Sequence, residues 1–407
     1  MKLRGHFLVL SLWVGILGLG SSDAGVVEDW NAAFVQAVKL ETPPPCLVSR
    51  NLPILHLAIY RAVRSAHAAG MGEKAQQQAA LHAGGRAFRL FFPSQSKIAD
   101  DLEAKHGLAT AAKGGDHPWL PLADAAVEVT FKQRENDGSS TTVHYVPSDK
   151  PGQWRRTPPN FRPPELPHWM QVKPWVIDDP AAFLPPPPPA LDSEAYGKEI
   201  QAVRELGGKS SATRTAEQTL VAHFWSDFSY TTSPPGHWND IARDVCRQKK
   251  LTTLETAHLF AVLNVTLADA CITVWHCKYH YNFWRPVTAI QRADEDGLDT
   301  TQPDKAWVPL LVTPPHPEYV SGHSGSSGAA AAVLEHFFPA GSVSFDAGSD
   351  DVMDVKRHFT SFTACAEEVA MSRLYGGIHY PMSGTEGLKL GRKVAAEVMK
   401  NFDQKIK

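Results

Sequence analysis

Between Leu254 and Trp275 the chain is apolar on almost every side of a helix. A helix without a polar face must be wrapped by other elements, so this run predicts a buried helix with the fold assembled around it. The 43% hydrophobic composition is ample for such a core. Further helices are predicted over Asn51 to Ala69, over the Ala-rich run Ser324 to Phe338, and over Ala364 to Tyr375, where Gly376–Gly377 stops the last. Val127 to Phe131 alternates like a strand.

Directly after the buried run come Lys278, Arg285 and Pro286. Lys278 and Arg285 are seven residues apart, two turns on one helical face, with Trp275 and Asn282 on the same stripe. Pro286 disfavours helical geometry at Arg285, so the helix is expected to end there and turn the guanidinium into a pocket. Cations at the end of a buried helix need an anion to offset their desolvation: an internal Asp or Glu, or a bound oxyanion. Ser321–Gly322–His323 follows the non-helical, Pro-rich Thr313–Pro317 and precedes the Ala-rich helix. It therefore sits at a helix N-terminus, where free N–H groups favour an anion, although Ser321 could equally be a plain N-cap. Arg373 falls in the last turn of its helix, where it could simply cap the C-terminus. His379 lies past the glycine break, in a connector before a helix expected to open at Ser383 with a capping box to Glu386.

In this order and spacing, Lys-x6-Arg-Pro, Ser-Gly-His and Ser-Arg-x5-His resemble the phosphatidic acid phosphatase type 2/vanadium haloperoxidase superfamily. Pro314–Pro315–His316–Pro317–Glu318–Tyr319, Tyr375 to Pro381, and the N-terminal Trp30 to Tyr60 look like its soluble haloperoxidase branch. The resemblance implies a mainly α fold of two packed helical bundles with long Pro-rich loops, and helix rather than strand over Val127–Phe131. It implies that Lys278, Arg285 and Arg373 bind the oxygens of vanadate or phosphate, with Ser321 and the Gly322 N–H adding hydrogen bonds. His379 would be the ligand to vanadium or the nucleophile toward phosphorus, His323 the general acid–base, and Lys278 the group that polarises peroxide. His316, seven residues before His323, matches the position where members with Phe oxidise chloride and members with His oxidise bromide. Trp275 joins it as a halide-pocket candidate. Two departures stand out: Val320 replaces a usual Pro, and Ser383 replaces the acid that orients the second histidine in many members.

Lys2, Arg4, the apolar stretch Phe7 to Gly20 and small residues to Ala24 read as a secretory signal over 1–24, with an uncleaved anchor as the alternative. No later stretch is expected to reach the ~20 apolar residues of a membrane span. A net charge of −3 offers no basic face for nucleic acid. The prolines of 185–189 read as a stiff linker or wrap between an N-terminal helical region, 25–190, and a site-bearing helical domain, 191–407. Five cysteines allow a disulfide but leave at least one thiol unpaired in a monomer; Cys271 and Cys277 are expected to pack in the core. Asp294–Glu295–Asp296 reads as a solvated turn, the Asn264–Val265–Thr266 sequon as buried, and His276, His280 and His336 as packing or surface residues.

Three functions follow from these expectations. The first is a secreted vanadate-dependent peroxidase acting on hydrogen peroxide and a halide, bromide favoured. The second is a vanadium-free acid phosphatase acting on soluble phosphate esters through a phosphohistidine. The third is a non-catalytic anion-binding homologue.

Overall fold

A computed structural model describes residues 25–108 and 117–406. The expected signal sequence lies outside these residues. We number the helices α1 (Val26–Glu41), α2 (Pro45–Ala68), α3 (Glu73–Phe91), α4 (Ser96–Lys105), α5 (Leu120–Arg134), α6 (Glu194–Gly207) and α7 (Ala216–Phe224). They continue as α8 (Ser233–Lys249), α9 (Thr253–Tyr281), α10 (Pro286–Gln291), α11 (Gly322–Phe337), α12 (Phe362–Tyr375) and α13 (Pro381–Lys405). One antiparallel pair, Phe345–Gly348 with Lys356–Phe359, joins α11 to α12. The protein is thus mainly α, and Val127–Phe131 lies within α5, as helix.

The apolar run is α9, and it is the axis of the fold. A capping box starts it: Thr252 Oγ1 accepts from the Glu255 N–H while the Glu255 carboxylate accepts from the Thr252 N–H. By length and composition α9 could cross a membrane, contrary to the sequence expectation, but 94% of its apolar window is buried inside the protein. One side packs against α2, which also packs on α3 and α5; the other packs against α11 and α13. Two bundles therefore share one helix and one continuous hydrophobic core.

Within the second bundle α11 and α13 meet backbone to backbone. A Cβ at Gly391 would lie 2.1 Å from the Gly325 carbonyl oxygen, and one at Gly328 would lie 2.3 Å from that of Leu388. Only glycine permits this approach, which fixes the start of α11 beside the start of α13. Over 135–193 the chain has only two 3₁₀ turns, Pro167–Gln171 and Pro180–Phe183. Its prolines form a wrap: the Pro185 carbonyl accepts from the Tyr281 hydroxyl and the Pro186 carbonyl from that of Tyr319, at 2.8 Å. The buried Asp269 of α9 draws the same wrap inward by accepting from the Trp175, Val176 and Ile177 N–H groups.

The local readings fare as follows. All five cysteines are free and buried. Asn264 is buried and bonded to Asn239, as the sequon reading expected. Asp294 is exposed, as a solvated turn requires, but Asp296 is buried and accepts from the Leu298 N–H and the Thr301 hydroxyl, so the solvated reading fails at that residue. His276 stacks on His280, and His336 sits edge-on to Phe337.

Candidate active site

The stripe expected to carry Lys278, Asn282 and Arg285 on one helix is broken. α9 ends at Tyr281 because Asn282 adopts the left-handed conformation (φ 49°) and caps the helix by donating its N–H to the Lys278 carbonyl. Phe283 then bridges to Gln153, and Arg285 is the residue before a new helix with Pro286 at its first position. The turn from α9 to α10 swings Arg285 under the loop 313–320. α13, likewise, starts at Pro381 with no side-chain cap, so the capping box expected at Ser383 does not form; Ser383 is fully buried in its first turn.

Loop 313–320 is held from below by the two cations. Lys278 Nζ donates to the carbonyls of Pro317, Glu318 and Val320 at 3.2, 2.9 and 2.5 Å, using all three of its donors. Arg285 donates from Nε to the His316 carbonyl (2.9 Å), from Nη1 to the Ile378 carbonyl (2.8 Å), and meets His316 Nδ1 (2.9 Å) and His379 Nε2 (3.3 Å). Both are wholly buried. Burial lowers the Lys278 ammonium well below its ordinary range and Arg285 to about 10, with carboxylates opposing. Tyr319–Val320 is a cis peptide, at the position where Val320 departs from the expected Pro.

Above the loop lies a cavity of about 360 Å³. Its lining includes Trp275, His316, Gly322, His323, Arg373 and His379, six of the nine sequence candidates; Lys278, Arg285 and Ser321 stand behind the wall. Ser321 is the N-cap of α11, its Oγ accepting from the Ser324 N–H, and the first helical amides, Gly322 and His323, have no intrahelical acceptor. His316 is buried and packs on Trp275 with ring centroids 5.1 Å apart, so it is not a solvated loop residue. Arg373 does not cap its own helix outward: Nη1 donates to the Trp225 carbonyl (2.7 Å), and the buried Nε has no partner.

His379 and His323 differ in their support. His379 Nδ1 lies 2.7 Å from Glu318 Oε1, which also accepts from the Tyr380 N–H (3.1 Å). With Nδ1–H directed at the carboxylate, Nε2 carries the lone pair, and Arg285 Nη1 stands 3.3 Å from it. Burial, then Arg285, Lys278 and Arg373, hold the imidazole well below 6.5, and burial raises Glu318 to about 7 against those same cations, Arg285 and Lys278. Ser383 stands where many members carry the orienting acid, and Glu318, elsewhere in the chain, supplies the carboxylate from the other side; the Ser383 hydroxyl lies 3.4 Å from His379 Nδ1. His323 Nε2 has no hydrogen-bond partner, and its nearest acid, Asp227 Oδ2, is 3.7 Å away. Burial and Arg373 depress it to about 3. Asp227 itself stays below the usual carboxylate value: burial pushes it up, but His237, His323 and Arg373 outweigh that.

Sequence reasoning missed Glu318 and Asp227. Glu318 had a signal, a lone acid in a run of prolines beside Ser321–Gly322–His323. Asp227 had none, because only the fold brings the segment after α7 to the cavity.

The geometry stands beside three likenesses. Residues 258–407 match the family model of the VCPO second helical-bundle domain. The vanadium chloroperoxidase of Curvularia inaequalis is 26% identical over 176 residues, 37% of this chain and only 29% of the relative's length. The structure of the first bacterial vanadium-dependent iodoperoxidase superposes with a TM-score of 0.74 at 27% identity, covering 92% of this chain and 95% of its own. A holo-type bacterial vanadium-dependent chloroperoxidase gives 0.71 at 16% identity over 89% and 93%, a likeness of fold. Together these findings support the vanadium haloperoxidase superfamily for this chain, with residues 258–407 matching the second helical-bundle domain.

Proposed function

We propose that the protein is a vanadate-dependent haloperoxidase that oxidises bromide with hydrogen peroxide to hypobromous acid, and that it is exported by its N-terminal signal. The observation that carries this reading is the set of donors left open on the cavity wall. Arg373 Nε and His323 Nε2 are buried without hydrogen-bond partners, and the Gly322 and His323 amides belong to the first turn of a helix, where N–H groups lack an intrahelical acceptor. His379 lines the same cavity, with Nδ1–H on Glu318 leaving Nε2 unprotonated and 3.3 Å from Arg285 Nη1. This set fits vanadate: a neutral imidazole as ligand, and N–H groups for the oxygens. His379 and Arg373 would hold the group with the α11 amides, while Lys278 and Arg285 add positive potential from behind. Bound there, vanadate supplies an electron-poor centre that makes a peroxide oxygen open to attack by halide.

The chain's own residues do the rest. Glu318 holds the proton on His379 Nδ1 and so fixes the ring. His323, neutral in the cavity, takes a proton from entering hydrogen peroxide and returns one to the departing oxygen. Peroxide, bromide and one proton thus give hypobromous acid and water. His316 and Trp275 form the wall where the halide would enter. The likeness to both an iodoperoxidase and a chloroperoxidase supports the class of reaction, and His316 supports bromide over chloride.

A second reading has a specific observation in its favour. Glu318 gives His379 the orienting acid that a phosphohistidine nucleophile needs, so an acid phosphatase has the required pair. A paired assay separates the two. Bromination of a dye by peroxide that appears only with added orthovanadate establishes the peroxidase; hydrolysis of p-nitrophenyl phosphate that vanadate inhibits establishes the phosphatase and overturns our reading.

A further inference from the structure

One nucleophile on the cavity wall is unused by the chemistry above. Cys271 lies on α9 one turn before Trp275 and two turns before Lys278, and it lines the cavity beside Pro45 and Ser49 of α2. It is 8% exposed. Between those two α2 residues stands Cys46, wholly buried in the first turn of its helix. The two thiols meet in a side-chain hydrogen bond, and the Ser49 hydroxyl lies against Cys271 as well. α2 packs along α9 within the shared core, so the contact is built into the fold. The other three cysteines, Cys246, Cys277 and Cys365, are buried and line no part of this cavity.

The two sulfurs are unequal. The hydrogen bond from Cys46 pulls the Cys271 thiol below its ordinary range; burial opposes this, and Ser49 and the Lys278 charge assist. Burial holds Cys46 well above that range, so it stays a thiol. One sulfur is thus a nucleophile on the wall, and the other touches it from behind. A lone thiol in a chamber that handles peroxide would be carried past sulfenic acid to states that thiol reductants do not reverse. A second thiol in contact stops that sequence at a disulfide.

We infer that Cys271 and Cys46 are a redox pair: Cys271 intercepts hypobromous acid in the cavity, and Cys46 closes the product to a disulfide that joins α2 to α9. The supply of oxidant rests on the peroxidase reading; the thiol chemistry does not. The Cys271 thiolate attacks bromine, so an S–Br bond forms and the O–Br bond breaks. The departing hydroxide takes the Cys46 proton and becomes water. The Cys46 sulfur then displaces bromide from Cys271 and forms the S–S bond. The two sulfurs together lose two electrons, and hypobromous acid is reduced to bromide and water.

The test starts with the full chain, reduced by dithiothreitol, freed of it, and kept without vanadate. One equivalent of reagent hypobromous acid is added, and unreduced peptides are mapped by mass spectrometry. The Cys46 and Cys271 peptides should appear joined with the loss of two hydrogens, two of the five thiols should disappear, and dithiothreitol should restore both. Oxidation elsewhere with both thiols intact, or a disulfide to any other cysteine, overturns the proposal, and this arm needs no variant to fold. In Cys46→Ser, about three equivalents should drive Cys271 to sulfinic acid, beyond rescue by dithiothreitol. A Cys271 that remains recoverable in the variant would show that Cys46 is not the resolving thiol. Turnover provides the second arm. With peroxide and bromide, the disulfide should form at least about tenfold faster when vanadate is present than when it is left out. Equal rates, or a dye brominated while the pair stays reduced, refute interception in the cavity. A disulfide from the reagent, with neither dye bromination nor disulfide under turnover conditions, would remove the peroxidase reading and leave the thiol pair standing.

Discussion

Lys278 and Arg285 on one side and Arg373 on the other carry the same charge within one site, yet they are used in opposite ways. The first two are spent on backbone carbonyls, His316 and His379 Nε2, and they hold the loop 313–320 in place. Arg373 makes one such bond and leaves a buried donor open. The sequence suggests three cations for one anion; the fold shows two that build the wall and one that faces the cavity. Lys278 and Arg285 still act on the cavity, because they help keep His379 and His316 neutral.

This contrast can be broken most forcefully at Lys278. Lys278→Met strands three buried carbonyls, so unfolding by urea should show a loss of roughly 3–5 kcal/mol. Arg373→Met should cost about 1 kcal/mol in the same experiment but weaken vanadate binding by ten- to a hundredfold in equilibrium dialysis. Equal stability losses would erase the division of labour. Glu318→Gln comes next: it should weaken vanadate binding by ~10–100-fold with little change in fold. Ser383→Asp should then recover part of that loss in the double variant, yet destabilise the chain alone by placing a second carboxylate beside Glu318. A single variant Ser383→Asp as stable as wild type would show that Glu318 is not where we place it.

A smaller effect separates the cavity from the core. His323 and the remote His56, bonded to Asn31 and stacked on Phe260, are both held to about 3 by burial. An unfolded imidazole titrates near ~6.5, so below that pH unfolding takes up protons that the folded chain refuses. The stability these neutral rings contribute is present above ~6.5 and is lost as pH falls toward 3, at about 1.4 kcal/mol per pH unit for each ring. Bound vanadate should remove the share of His323, by favouring its charged form, and leave that of His56. Unfolding midpoints of His323→Gln and His56→Gln at pH 5 and 7, with and without vanadate, check this. The smallest change is expected for Ser383→Ala, whose hydroxyl lies 3.4 Å from His379 Nδ1 and also meets Glu318; peroxide-dependent bromination should fall less than about threefold.

Much of this was legible without coordinates. The apolar run had to be a central helix, and Ser321–Gly322–His323 had to open another, because both follow from local chemistry. Six of nine proposed site residues line the cavity. One failure is local: spacing along a helix was extended past Asn282, whose left-handed turn sends Arg285 elsewhere. Which donors remain open after a loop has folded over them is a matter of tertiary hydrogen bonds. No count of residues along the chain yields it, and the same holds for an orienting acid that comes from the preceding loop rather than from one helical turn ahead.

α9 serves both bundles, and this bears on modularity. The region matched by the family model starts at residue 258, inside that helix, five residues after its first. A fragment cut there would carry every candidate catalytic histidine and every cation, yet one flank of its longest apolar helix would have lost α2. The chemistry is written in the last third of the chain, but the licence to be folded is held jointly. Recombination or fusion can therefore transplant the site only together with the N-terminal helices, one of which, α2, reaches the cavity wall with Pro45 and Ser49.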